Sequence, residues 1–72
     1  MREESRVIGR NVRRHRQSMK WTQEMLAAEV KLSSDYISRL ELGKENPTLD
    51  VLVRISIIFN RKVRDLLDDN AE

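Results

Sequence analysis

The sequence predicts an all-α domain, a five-helix bundle, and three observations carry that prediction. Apolar residues recur at spacings of three, four and seven rather than in strict alternation, which is the period of a helix face and not of a strand. Hydroxyl residues stand directly before apolar runs at Thr22, Ser33 and Thr48, where a side-chain oxygen can accept from the free amides of a first helical turn. Helix breakers are scarce, since Gly9, Gly43 and Pro47 are the only glycines and proline in 72 residues.

Taken in order, the first helix is expected from about Arg6 to Met19, burying Ile8, Val12 and Met19. The second opens at the Thr22 cap and covers Gln23–Val30. The third opens at the Ser33 cap and ends before Gly43, which suits a left-handed stop. Asn46, Pro47 and Thr48 form a turn and a further cap for a fourth helix from Leu49 to Phe59, with Asn60 as its end signal. Its inward stripe reads Leu49, Leu52, Ile55 and Phe59. The fifth, Val63 to Asp68, is too short to hold alone and is expected to pack through Val63, Leu66 and Leu67. No repeat, low-complexity tract or linker interrupts the pattern, so residues 1–72 read as a single domain with its core at about 6–68.

Composition narrows the function. A chain of 72 residues buries a modest core and commonly leans on disulfides, a metal or a second subunit. With no cysteine and one histidine, disulfides, thiolate metal sites and iron–sulfur clusters drop out, which leaves oligomerisation. No apolar run approaches a membrane span and no basic-then-apolar leader opens the chain, so a soluble cytoplasmic protein is expected. No nucleophile, base and orienting group assemble, and there is no glycine-rich phosphate loop, so neither enzyme chemistry nor a cofactor is expected. His15 stands alone, without a second ligand at metal spacing, and reads as a surface or half-packed residue. The net charge of +2 is small, but its distribution is uneven. Arg6, Arg10, Arg13, Arg14, Arg16 and Lys20 precede Thr22 with no acid among them, while Asp65, Asp68, Asp69 and Glu72 cluster at the other end. This suits an anionic partner approached from one side, or equally a solvated helix face.

Between Gln23 and Leu40 lie two short helices joined by a tight turn. Such a pair buries itself only by crossing steeply, which needs a small residue at the crossing and apolar inner faces. Ala27 supplies the first, and Leu26, Val30, Leu32, Ile37 and Leu40 supply the second. The segment from Thr22 to Pro47, Thr-Gln-Glu-Met-Leu-Ala-Ala-Glu-Val through Asp-Tyr-Ile-Ser-Arg-Leu-Glu-Leu-Gly-Lys to Asn-Pro, resembles the phage repressor and Cro type of helix-turn-helix regulator, the XRE type. The likeness runs from Ile8-Gly9 to Leu66-Leu67, and the similar members are restriction–modification controller proteins and small phage or mobile-element repressors. It implies a lambda-repressor-like domain that docks its third helix in the major groove of double-stranded DNA, with RNA polymerase as a further contact.

At about 100° per residue, Ser33, Ile37, Leu40 and Glu41 share one side of the third helix and should pack. Ser34, Asp35, Ser38 and Arg39 share the other, with Leu42 behind them, and should meet base edges. Arg39 can grip guanine through its two major-groove acceptors, Asp35 can accept from cytosine, and the serines can bond to several bases directly or through water. Phosphate contacts are expected from Gln23 at the head of the second helix, and the resemblance implies the same for Ser33 and Lys44. Tyr36 sits at the edge between faces, with its hydroxyl able to reach a phosphate. Arg10, Arg13 and Arg14 add diffuse attraction or are simply solvated. The resemblance further implies an ion pair between Arg16 and Glu41, read as an orienting clamp because an unpaired Glu41 on the packing face is costly.

Two positions depart from the family pattern. Lys31 stands where the turn usually has glycine, and Arg61 where an apolar residue is usual, which loosens the fifth helix. The fourth helix carries more apolar residues than one domain needs. Val51, Val53, Ile57 and Ile58 lie off the inward stripe, and such a cluster suggests a homodimer interface. A twofold dimer would set two recognition helices about 34 Å apart and call for a pseudo-palindromic operator. The alternative from a different class is an antitoxin or partner-binding adaptor that uses the same fold to sequester another protein.

Overall fold

Four helix ends share one device, and it shapes the molecule. The computed structural model describes residues 2–69 and contains α1 (Glu3–Ser18), α2 (Gln23–Val30), α3 (Ser34–Glu41), α4 (Leu49–Ile58) and α5 (Val63–Leu67), with no strand among the described residues. At the end of α1 the Lys20 amide donates to the Gln17 carbonyl and the Trp21 amide to that of Arg16. The same two-bond Schellman stop closes α2 (Lys31 to Ala28, Leu32 to Ala27), α3 (Gly43 to Leu40, Lys44 to Arg39) and α4 (Asn60 to Ile57, Arg61 to Ser56). Each stop turns on a left-handed residue: Lys20 at φ 61°, Lys31 at 60°, Gly43 at 77° and Asn60 at 55°. Glycine takes this conformation freely and asparagine tolerates it, whereas a lysine there costs roughly 1–2 kcal/mol. Gly43, Asn60 and Lys31 were legible as such positions; Lys20 was not.

The starts are side-chain caps. Thr22 accepts from the Met25 amide at 3.1 Å, Ser33 from Tyr36 at 3.0 Å and Thr48 from Val51 at 3.3 Å. α1 begins at Glu3 rather than Arg6, because Glu3 and Glu4 place carboxylates at the positive end of the helix.

The core joins Ile8 and Val12 of α1, Leu26, Ala27 and Val30 of α2, Ile37 and Leu40 of α3, Leu52, Ile55 and Phe59 around α4, and Leu66 of α5. α1 crosses the end of α3 so closely that a Cβ on Gly9 would lie 2.5 Å from the Leu40 carbonyl oxygen and 2.7 Å from that of Glu41. α5 holds by an unanticipated bond. The buried Asn11 side chain donates to the carbonyls of Leu66 at 2.9 Å and Asp68 at 3.0 Å, at the C-terminal end of this short helix.

Several expectations are corrected. Met19 is exposed, because it is the cap residue beyond the last turn of α1. Leu49 is 68% exposed, since it stands on the first turn of α4 at the margin of the helix's apolar face. Leu67 is exposed because its neighbour Leu66 takes the inward position, and adjacent helical residues point about 100° apart. Val51 and Ile58 are not surplus, as both are half-buried against the core. His15 is only 7% exposed, with its ring centroid 5.5 Å from that of Phe59. Burial lowers its pKa, the charges of Arg61 and Arg14 lower it further, and Asp65 opposes them. No helix among the described residues is long and apolar enough to cross a membrane. Of the acidic cluster at the chain's end, Glu72 lies outside the described residues.

Candidate nucleic-acid interface

The α2–α3 pair presents α3 with one face packed and the other free. Ile37, Leu40 and Glu41 are buried, Asp35 and Arg39 are exposed, and Ser34 and Ser38 are half-buried at the flanks. Ser33 is exposed rather than packed, because it is the cap residue; one bond from the Tyr36 amide leaves its hydroxyl hydrogen free to donate. Tyr36 is half-buried against the core, and burial followed by the nearby Glu45 charge raises its phenol pKa, so the hydroxyl stays a donor.

Beneath this face lies a charged lock. Arg16 donates through Nε to Glu41 Oε2 at 2.6 Å, through Nη2 to Oε1 at 3.0 Å, and through Nη1 to the Trp21 carbonyl at 2.7 Å. The Glu41 bond is the main reason the Arg16 pKa is raised. Gln23 joins the same carboxylate, donating from Nε2 to Oε1 at 3.1 Å. Gln23 is thus held at the head of α2 by a residue at the end of α3, and its second Nε2 hydrogen remains for an external acceptor. The lock ties α1, α2 and α3 together where the motif must keep its crossing angle.

Lys44 and Glu45 follow the left-handed turn at Gly43, which sends the chain back beside α3. Lys44 is exposed, and Glu45 accepts from Arg39 Nε at 2.7 Å. Of the residues expected to meet DNA, Ser33, Asp35, Arg39 and Lys44 are exposed and Gln23, Ser34, Tyr36 and Ser38 are half-buried. Arg10 points elsewhere, pairing at 2.6 Å with Asp69 at the end beyond α5. Glu45 and the Gln23–Glu41 link were missed in the sequence. An acid a short way past a left-handed glycine stop was the available signal for the first, because such a stop folds the following residues back onto the last turn.

Comparison with known proteins agrees with this fold. Residues 12–66 match the Helix-turn-helix family. An uncharacterized HTH-type transcriptional regulator of Archaeoglobus fulgidus is 36% identical over 55 residues, covering 76% of this chain and 78% of the relative. A second regulator so described, from the same organism, is 38% identical over 55 residues, covering 76% and 79%. Among solved structures, the clp gene regulator ClgR from Corynebacterium glutamicum superposes with a TM-score of 0.87 at 24% identity, over 94% of this chain and 72% of that one, a likeness of fold. The hypothetical transcription factor NHTF from Neisseria gives 0.86 at 26% identity, over 92% and 76%. Motif, fold and relatives converge, and the chain belongs to the XRE-type helix-turn-helix family of DNA-binding transcriptional regulators.

Proposed function

We propose that the protein is an operator-binding regulator that acts as a homodimer, with α3 of each subunit in the major groove of a pseudo-palindromic site. The observation that carries this reading is the outward face of α3, where Asp35 and Arg39 are exposed and Ser34 and Ser38 half-buried beside them, opposite the packed face of Ile37, Leu40 and Glu41. Arg39 reads guanine, Asp35 accepts from a cytosine amine, and the two serines adapt to their neighbours. Gln23, Ser33, Tyr36 and Lys44 fix register by donating to phosphates.

The dimer contact is α4. Leu49, Val53 and Ile57 follow one another at four-residue spacing and form a single exposed stripe, with Ile57 69% exposed. A solvent-facing apolar row of this kind on a 72-residue domain favours pairing with its own twofold copy. Val53 and Ile57 are retained from the residues expected there, Leu49 joins them, and Val51 and Ile58 serve the core.

Selection from a random duplex pool tests the whole reading. The expected product is an inverted repeat with half-sites about one helical turn apart. Absence of any enriched sequence, with the protein folded, would refute it.

A further inference from the structure

We infer that Glu45 is a specificity-determining positioning residue: it holds the Arg39 guanidinium by its Nε and presents both terminal nitrogens to a guanine. This rests on Arg39 as the base reader proposed above and assigns a partner to that role.

The geometry comes from the end of α3. Arg39 is the residue whose carbonyl receives the closing bond of the Schellman stop, from the Lys44 amide at 2.9 Å. The next residue in the chain, Glu45, is thereby delivered to the side chain of Arg39, and the Nε–Oε2 distance is 2.7 Å. The Arg39 side chain is 50% exposed and that of Glu45 26%, so the carboxylate is the more anchored partner and the guanidinium the more open one. Such an exposed pair adds little to folding. What it does is choose among the donors of a planar fork. With Nε engaged, Nη1 and Nη2 are left as a parallel pair at the tip, the arrangement that matches O6 and N7 of guanine. An arginine without this hold samples many rotamers, and that freedom must be lost on binding. Asp35 and Tyr36 also act electrostatically on Arg39, but the Glu45 hydrogen bond is the largest influence on its pKa. Beside Arg39 on the proposed DNA face, the carboxylate would repel phosphate, so it costs general affinity while improving discrimination. A role as a mere negative charge predicts instead that its removal tightens binding to every duplex alike and leaves discrimination unchanged.

The test uses the full chain with Glu45→Ala, Glu45→Gln, Arg39→Ala and the double variant. Binding is measured to a duplex recovered from the random pool, to the same duplex with the Arg39-read base changed, and to a scrambled duplex. Glu45→Ala is expected to lower discrimination at that one base about three- to tenfold. It should leave scrambled-duplex binding equal or tighter, and Glu45→Gln, which keeps an acceptor, should recover part of the discrimination. In the double variant, discrimination should equal that of Arg39→Ala alone. Neither side chain belongs to the core, so helical circular dichroism should be unchanged. If Glu45→Ala tightens binding to all three duplexes by one common factor, or if its effect persists undiminished in the Arg39→Ala background, the positioning role is overturned. If Arg39→Ala itself leaves base preference intact, the reader assignment has failed, and that outcome is separable because it appears without any change at Glu45.

Discussion

Arg16→Met probes the lock under the recognition helix. The substitution keeps a long apolar stem and removes three donors at once, those to Glu41 Oε2, Glu41 Oε1 and the Trp21 carbonyl. The Glu41 side chain is 2% exposed, so its carboxylate would be left buried with the Gln23 amide in place of a cation. Breaking a buried pair from one side costs about 3–5 kcal/mol, because an uncompensated charge stays in the interior. A chain of 72 residues has a total stability of about 4–11 kcal/mol, so the variant should sit near the edge of unfolding, with Tm lowered by more than about 10 °C. Arg16→Met/Glu41→Leu, which removes both charges, should recover much of the loss. Urea unfolding followed by circular dichroism measures all three proteins. A loss below about 1 kcal/mol for Arg16→Met, or a double variant no more stable than the single, would refute the account of a buried compensated charge.

Four further outcomes are expected. Ile57→Glu should give a folded monomer by sedimentation, with tight operator binding lost, since two glutamates would meet across the apolar α4 stripe; a variant that stays dimeric would place the contact elsewhere. Lys44→Ala should weaken binding to all duplexes alike and lower the salt slope by about one, whereas altered base preference would make Lys44 a reader. His15 is buried with a lowered pKa, so the unfolded chain takes up its proton first; stability should be flat above pH 6.5 and fall below it, with a shallower fall in His15→Phe, as measured by Tm across pH. Lys31→Gly should raise Tm by about 3–6 °C by relieving the left-handed backbone at φ 60°, and a decrease would mean that the lysine side chain contributes more than the strain costs.

The features legible beforehand are those whose causes act within one helical turn. Thr22, Ser33 and Thr48 cap from their own hydroxyls, and Gly43 and Asn60 stop helices through their own backbone freedom. The division of α3 into a packed side at Ile37 and Leu40 and an open side at Asp35 and Arg39 follows from helical period alone. Lys20 is not legible, because nothing in a lysine announces a left-handed turn; only the Schellman bonds around it impose one.

What the tertiary structure decided are the matters that depend on which surfaces meet. Asn11 looks like any polar residue on α1 until α5 arrives with carbonyls that need a donor, from more than fifty positions away. His15 is buried because the Phe59 ring, from the far end of α4, comes to rest against it. Leu49 and Val51 are equally apolar and nearly adjacent, yet one faces water and the other the core, because α2 and α5 flank α4 on particular sides. Gly9 is explained only by the carbonyls of Leu40 and Glu41 pressing against it. Periodicity tells a helix which of its faces is apolar, but packing sets how far around that face the neighbours reach, and a residue at its margin is buried or exposed by their position rather than by its own chemistry.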